Sequence, residues 1–187
     1  MHTILGVVVV AVLAFVGTMF DNFFAFAAQL VVTDRARFRR VSIAQSLAML
    51  LLLAFAAAVG SVLAPIPVRW IGLLCVAPFG FAIHAWHHRE TRREQNRRGS
   101  LTTFAITLAL GGDNLAVWIP LLRANGLAHG LITGAVFAFL EIAFLVGAQR
   151  LAAHPRVVAW GRSHAPSVVP FVYVALGVLI LWECHTF

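Results

Sequence analysis

Lysine is absent from this chain, and all 14 basic residues are arginine. That absence excludes little, because both residue types obey the same topological rule in membrane loops. Charge is scarce: 11% of the 187 residues are charged, whereas 61% are hydrophobic. A soluble domain of this length has no way to hide so much apolar surface, so a separate soluble domain is excluded and lipid is the expected solvent. Cysteine is limited to Cys75, within an apolar run, and Cys184, near the end. They form no CxxC, and neither a disulfide framework nor a zinc knuckle is indicated. No nucleotide-binding motif occurs, so uphill work would have to draw on an ion gradient. The net charge of +7 does not imply a nucleic-acid partner, since the arginines lie in short loops between apolar runs and act there as anchors.

What is present is a series of six apolar runs, at about 3–32, 41–64, 69–88, 101–122, 127–150 and 166–184, each about long enough to span a bilayer. The chain is therefore expected to be an all-α integral membrane protein with six transmembrane helices. The opening Met1-His2-Thr3 carries no basic n-region, and Asp21-Asn22 interrupts the apolar run ahead of Ala25-Phe26-Ala27. An arginine cluster follows at once, so the first run reads as a retained helix and not as a cleaved signal. Arg35, Arg37, Arg39 and Arg40 follow the first run; Arg89, Arg92, Arg93, Arg97 and Arg98 follow the third; Arg150, Arg156 and Arg162 follow the fifth. The other set of loops holds only Arg69 and Arg123. By the positive-inside rule both termini are extracytoplasmic. Trp70, Trp86, Trp118 and Trp182 fall near expected helix ends, as an aromatic belt would.

The chain divides into a first three-helix repeat at 1–88, a cytoplasmic Arg-rich linker at 89–99 and a second three-helix repeat at 100–187. The first run of each half holds an Asp-Asn pair after glycine: Gly17-Thr18-Met19-Phe20-Asp21-Asn22 and Gly111-Gly112-Asp113-Asn114. Three helices per half make the halves enter the membrane in opposite senses, the pattern of an inverted repeat. Depth matches as well. Asp21 precedes the expected cytoplasmic end at Thr33, and Asp113 follows the one at Leu101, by about 12 residues each, which at ~1.5 Å per residue sets both carboxylates ~18 Å deep in a ~30 Å core. An ionised Asp at that depth costs at least ~2.5–3.5 kcal/mol, so it must be paired, hydrated, protonated or bound to a cation. Structural hydrogen bonding between helices is the bland alternative for a single Asp. For two matched pairs, a central site for a divalent cation explains more: Asp21 and Asp113 would balance its charge, and Asn22 and Asn114 would add neutral oxygens. Oxygen ligands suit Mn, Ca or Mg and do not by themselves select cadmium.

Secondary candidates follow. Gln45, early in the second run, has an amide to turn toward the site or to a neighbouring helix. Glu141 lies well inside the fifth run and reads as a proton carrier, an auxiliary ligand or a helix-pairing group. His84 and His88 stand four apart on one helical face beside His87, a spacing able to chelate metal, though an interfacial cluster accounts for them too. Gly111-Gly112 offers unwound backbone carbonyls. Cys75 in an apolar helix is ordinarily a small hydrophobe, and Pro78 and Pro120 kink or end their helices. From 153 to 166, Pro155 and Pro166 limit helix continuity.

Gly111-Gly112-Asp113-Asn114 followed by Ile119-Pro120 resembles the signature of the cadmium-resistance (Cad) transporters, a branch of the lysine-exporter superfamily. Thr18, Asp21 and Gln45 fall where that family carries its first-half polar residues, and Gln149-Arg150-Leu151, His154-Pro155, Pro170 and Leu176-Gly177 are similar as well. The resemblance implies a secondary-active efflux transporter for Cd(II), with Zn or Mn as further cargo, in a bacterial inner membrane as a multi-pass protein. No permanently bound cofactor is expected, protons are the expected counter-ion because the same carboxylates exchange metal for H⁺, and there is room for a homo-oligomer. Two departures stand out: Asn22 sits where many relatives carry a second acidic residue, and no cysteine neighbours Asp113. Export of an amino acid or other small organic cation is the alternative from the same superfamily. An intramembrane enzyme fits less well, because no paired cysteines occupy the repeat centres and no Ser or His adjoins either Asp.

Overall fold

In lipid, every backbone N–H and C=O of a spanning segment must be paired within the protein, which leaves the helix as the stable form for isolated apolar runs. The computed structural model is all-helical among the described residues, which are 3–67, 70, 76–87, 103–104, 107–108 and 111–183; the side chains of Asp21, Arg35, Phe81, His84, Ala85, His87, Pro166 and Glu183 lie outside this description. Five helices follow one another: α1 (Ile4–Val31), α2 (Arg35–Val62), α3 (Val76–His87), α4 (Gly112–Leu151) and α5 (Pro155–Glu183). Residues 103–104 and 107–108 are helical too. By length and composition, α2 from Ala36 and α4 each suffice to cross a membrane, and α1 and α5 do so when each is taken as one bent span. The 89–99 linker, Cys75, Cys184, Arg69 and His88 lie outside the described residues.

Three boundaries depart from the sequence expectation. Helix α2 begins at Arg35 and not near 41. Arginine is a good helix former, and 28 residues at ~1.5 Å exceed the ~30 Å core, so the first turns have room to project beyond it. Arg37, Arg39 and Arg40 there are exposed, and Arg37 N donates to Asp34 O at 2.8 Å. The connection expected between the fourth and fifth runs shrinks to Gly126, whose φ of 64° interrupts α4 and lies in the region where only glycine is unstrained. Third, residues 155–165 are helical. Pro155 occupies the first helical position of α5, where its missing N–H costs nothing, and at Pro166 the helix bends by 58° without ending.

Arg123 fastens this end of the bundle. Its Nε donates to Leu63 O at 3.1 Å, and its Nη2 to Ala64 O at 2.6 Å and Ile66 O at 3.0 Å. Leu63 caps α2, and Ala64 and Ile66 lie in the turn beyond it, so Arg123 ties that turn to α4.

Helix α1 packs on α4 and α5, α2 on α4, and α3 on α5. The shared core holds Phe15, Met19, Phe26 and Leu30 of α1, Trp118, Phe137 and Phe144 of α4, and Tyr173, Leu176 and Ile180 of α5. Trp118 and Phe15 both meet the Phe137 ring, with centroids 5.0 and 5.5 Å apart. The outer surfaces carry Leu5, Val9, Leu13, Leu47, Leu50, Leu131, Phe139, Phe171 and Val178 exposed. Water would penalise such a surface, and acyl chains do not. Trp70, Trp86 and Trp182 are exposed as a belt requires, but Trp118 is fully buried. Helix α4 runs past it, and a hydroxyl inside the bundle satisfies its indole.

Candidate functional site

Both Asp-Asn pairs sit where a helix is interrupted. Helix α1 bends by 51° between its arms 4–20 and 22–31, at Asp21. Ahead of α4 the chain turns at Gly111, whose N–H donates to Leu108 O at 3.1 Å, and the helix starts afresh at Gly112. Asp113 thus falls in the first turn of α4, where the positive end of the helix dipole favours a carboxylate. Gly111 is needed for contact and not for its dihedrals: a Cβ there would come within 2.4 Å of Leu52 Cδ1 of α2. Gly112 is exposed, and a Cβ on it would meet nothing within 4 Å, so open space borders Asp113 on that side.

The two segments lie side by side and antiparallel. Trp118 Nε1 donates to Thr18 Oγ1 at 3.3 Å, Asn114 Nδ2 to Met19 Sδ at 3.7 Å, and Gln29 Nε2 to Thr103 Oγ1. As residue numbers rise along α1, their partners fall from 118 to 103.

Asp113 is buried and accepts from donors on two different helices. Its Oδ1 accepts from Asn114 N at 2.8 Å, and its Oδ2 accepts from the hydroxyl of Tyr173 on α5. Asn114 is fully buried, and its Oδ1 has no hydrogen-bond partner among the described residues. Met19 is the meeting point of the two pairs: its sulfur accepts from Asn114 Nδ2 and from Asn22 Nδ2, the latter at 3.8 Å. Thr18, also fully buried, donates back to Ala14 O at 2.9 Å while accepting from Trp118, so its hydroxyl is occupied in holding α1 to α4.

The structure therefore brings Asn22 and Asn114 to Met19, while Asp113, the neighbour of Asn114 in the chain, is held by Tyr173; Asp21 belongs to the same stretch of α1, and its side chain is outside the described residues. Gln45 and Glu141 are engaged elsewhere, Gln45 of α2 with Thr107 ahead of α4 and Glu141 of α4 with Ser46 of α2. Gln45 Oε1 accepts from Thr107 Oγ1 at 2.7 Å, and Glu141 Oε1 accepts from Ser46 Oγ at 3.5 Å. Glu141 is buried, with its Oε2 unpartnered among the described residues. Nearer Arg150, Gln149 Nε2 donates to Ser42 Oγ at 3.3 Å. His84 has no described side chain and His88 lies outside the described residues, so the proposed chelating pair is not placed.

Met19 and Tyr173 are absent from the sequence-derived candidates. Tyr173 had a signal: it is the single tyrosine of the chain, and a phenol inside an apolar span must find a partner. Met19 had none, because methionine is at home in any core. Among the described residues no three His, Cys, Asp or Glu side chains come together. A cation held here would rely on one described carboxylate supplemented by amide, hydroxyl, thioether or backbone atoms.

The family model for cadmium resistance transporters matches residues 15–187, a span that contains the whole cluster. No curated protein and no solved structure matches the chain.

Proposed function

The chain belongs to the cadmium resistance transporter family, and from that premise we propose that it is a secondary-active exporter of divalent metal, Cd(II) foremost, in the bacterial inner membrane. In this reading six spans form two inverted three-helix halves with both termini extracytoplasmic. Asp21 and Asp113 bind the ion near the bilayer midplane, Asn22 and Asn114 complete its shell, and the halves rock around it in alternating access. The family is one of transporters, so no catalytic chemistry is invoked.

The observation that carries the reading is the convergence of Asn22 and Asn114 on Met19, directly beside Asp113. Two motifs far apart in sequence meet at interruptions of two helices, which is where half-helix ends offer polar groups inside a membrane. The buried Asn114 Oδ1, without a donor among the described residues, is an acceptor a cation would satisfy. A carboxylate-bearing organic cargo is less well served, because Arg123 is engaged with carbonyls at the cap of α2 and in the turn beyond it.

Protons are the proposed counter-ion, since carboxylates exchange metal for H⁺ without further machinery; Glu141 is the proposed auxiliary carrier. The test is cadmium accumulation in cells expressing the wild type, Asp21→Asn or Asp113→Asn at matched protein levels. Both variants are expected to accumulate cadmium like cells without the transporter. Full efflux by both would remove the carboxylate site from consideration. A growth panel in Cd, Zn, Mn, Co and Ni then ranks the cargo, and a panel without any change in sensitivity would favour an organic solute.

A further inference from the structure

The hydrogen bonding around Met19 is lopsided. Two amide groups, Asn22 Nδ2 and Asn114 Nδ2, direct donors to a thioether, at 3.8 and 3.7 Å, and a thioether is among the weakest acceptors in a protein. At the same place a strong acceptor, Asn114 Oδ1, is buried without a donor among the described residues. A core shaped for stability alone would give that oxygen a donor, since a buried unsatisfied amide oxygen costs about 1–3 kcal/mol. Met19 itself is 2% exposed, on α1, and Asn114 follows Asp113 in the first turn of α4. The amide that reaches the soft Met19 sulfur thus belongs to the residue that follows the hard carboxylate of Asp113 and carries a neutral oxygen of its own.

We propose that the Met19 thioether is a ligand of the transported ion and sets the preference for soft Cd(II) over hard divalent ions such as Mn(II). The proposal rests on the reading that Asp113 and the Asn pairs hold the ion. Oxygen donors alone favour Mn, Mg or Ca, whereas sulfur shifts a site toward soft, polarisable ions. Neither cysteine is needed for this: thioether sulfur stays uncharged, so it adds softness without adding to the buried negative charge that Asp113 already brings.

The test uses inverted membrane vesicles carrying wild type, Met19→Leu or Asp113→Asn, assayed for uptake of Cd(II) and of Mn(II). Leucine preserves volume and apolarity while removing sulfur. The ratio of apparent Cd(II) to Mn(II) affinity is expected to fall about tenfold in Met19→Leu, the low end of what a metal site loses with a tuning partner. An unchanged or increased ratio, with Asp113→Asn inactive, overturns the role of Met19 alone. If Asp113→Asn still carries both metals, the site reading fails and the Met19 proposal with it. Should Met19→Leu not accumulate, purified Met49→Leu protein labelled with selenomethionine and loaded with Cd(II) is measured by X-ray absorption at the cadmium edge. Selenium then remains only at Met1 and Met19, and cadmium–selenium scattering is expected; scattering from light atoms alone overturns the proposal.

Discussion

Tyr173 donates its hydroxyl to Oδ2 of Asp113, so α5 holds the carboxylate that opens α4 from 60 positions away in sequence. Hydrogen bonds to charged groups contribute about 1.5–3 kcal/mol, and here the bond also fixes one carboxylate orientation. Tyr173→Phe keeps the ring and removes the donor. We expect cadmium efflux to drop to a level between those of the wild type and Asp113→Asn, with a lowered Tm in detergent. Wild-type efflux together with an unchanged Tm would show that Asp113 needs no support from α5.

Gly111 allows α2 to approach the start of α4, with Leu52 filling the space a side chain would take. Gly111→Ala is expected to destabilise the protein by about 1–3 kcal/mol through overpacking, seen as a lower Tm. Adding Leu52→Ala should recover part of that loss, because the clash is with a side chain and not with backbone. By contrast, a Cβ at Gly134 meets nothing within 4 Å, so Gly134→Ala should raise stability by about 0.5–1 kcal/mol through helix propensity. Equal losses at both glycines would refute the contact argument.

Helix type and the Asp-Asn pairs were legible in the sequence because apolar length and misplaced charge are local properties. What sits across from a residue is not. Trp118 lies near the end of an expected span and reads there as an interfacial indole, yet α4 continues beyond it and Thr18 of α1 receives its N–H. Sequence sets the start of the second helix near 41 because arginines break an apolar run, whereas they do not break a helix. Pro166 similarly ends the apolar pattern but only bends α5. Met19 was hidden most completely: Asn22 lies one turn along α1 from it, but the Asn114 amide that also reaches its sulfur comes from α4, and no spacing within one helix reveals that.

The indole of Trp118 makes a further prediction. Thr18→Val keeps the shape of the side chain and removes the acceptor, which leaves a buried N–H unpaired at a cost of about 1–3 kcal/mol. Thr18→Ser restores the hydroxyl, and its Tm should lie closer to that of the wild type. If valine and serine destabilise equally, the methyl packing of Thr18 matters more than its bond to Trp118.

Glu141 tests the division of labour between metal binding and proton transfer. It faces Ser46 across the α2–α4 contact and keeps Oε2 buried without a partner among the described residues, and this bond is separate from those that Met19 and Asp113 accept. A carboxyl that carries protons must be able to lose charge on burial, and glutamine cannot exchange a proton at all. Glu141→Gln vesicles are therefore expected to bind Cd(II) near wild-type affinity but to lose most of the acceleration that an imposed pH gradient gives to uptake. The comparison is made at equal metal and protein, with the gradient collapsed by an ionophore as reference. A gradient response equal to that of the wild type would assign Glu141 to holding α2 against α4, and then its substitution should appear in Tm instead.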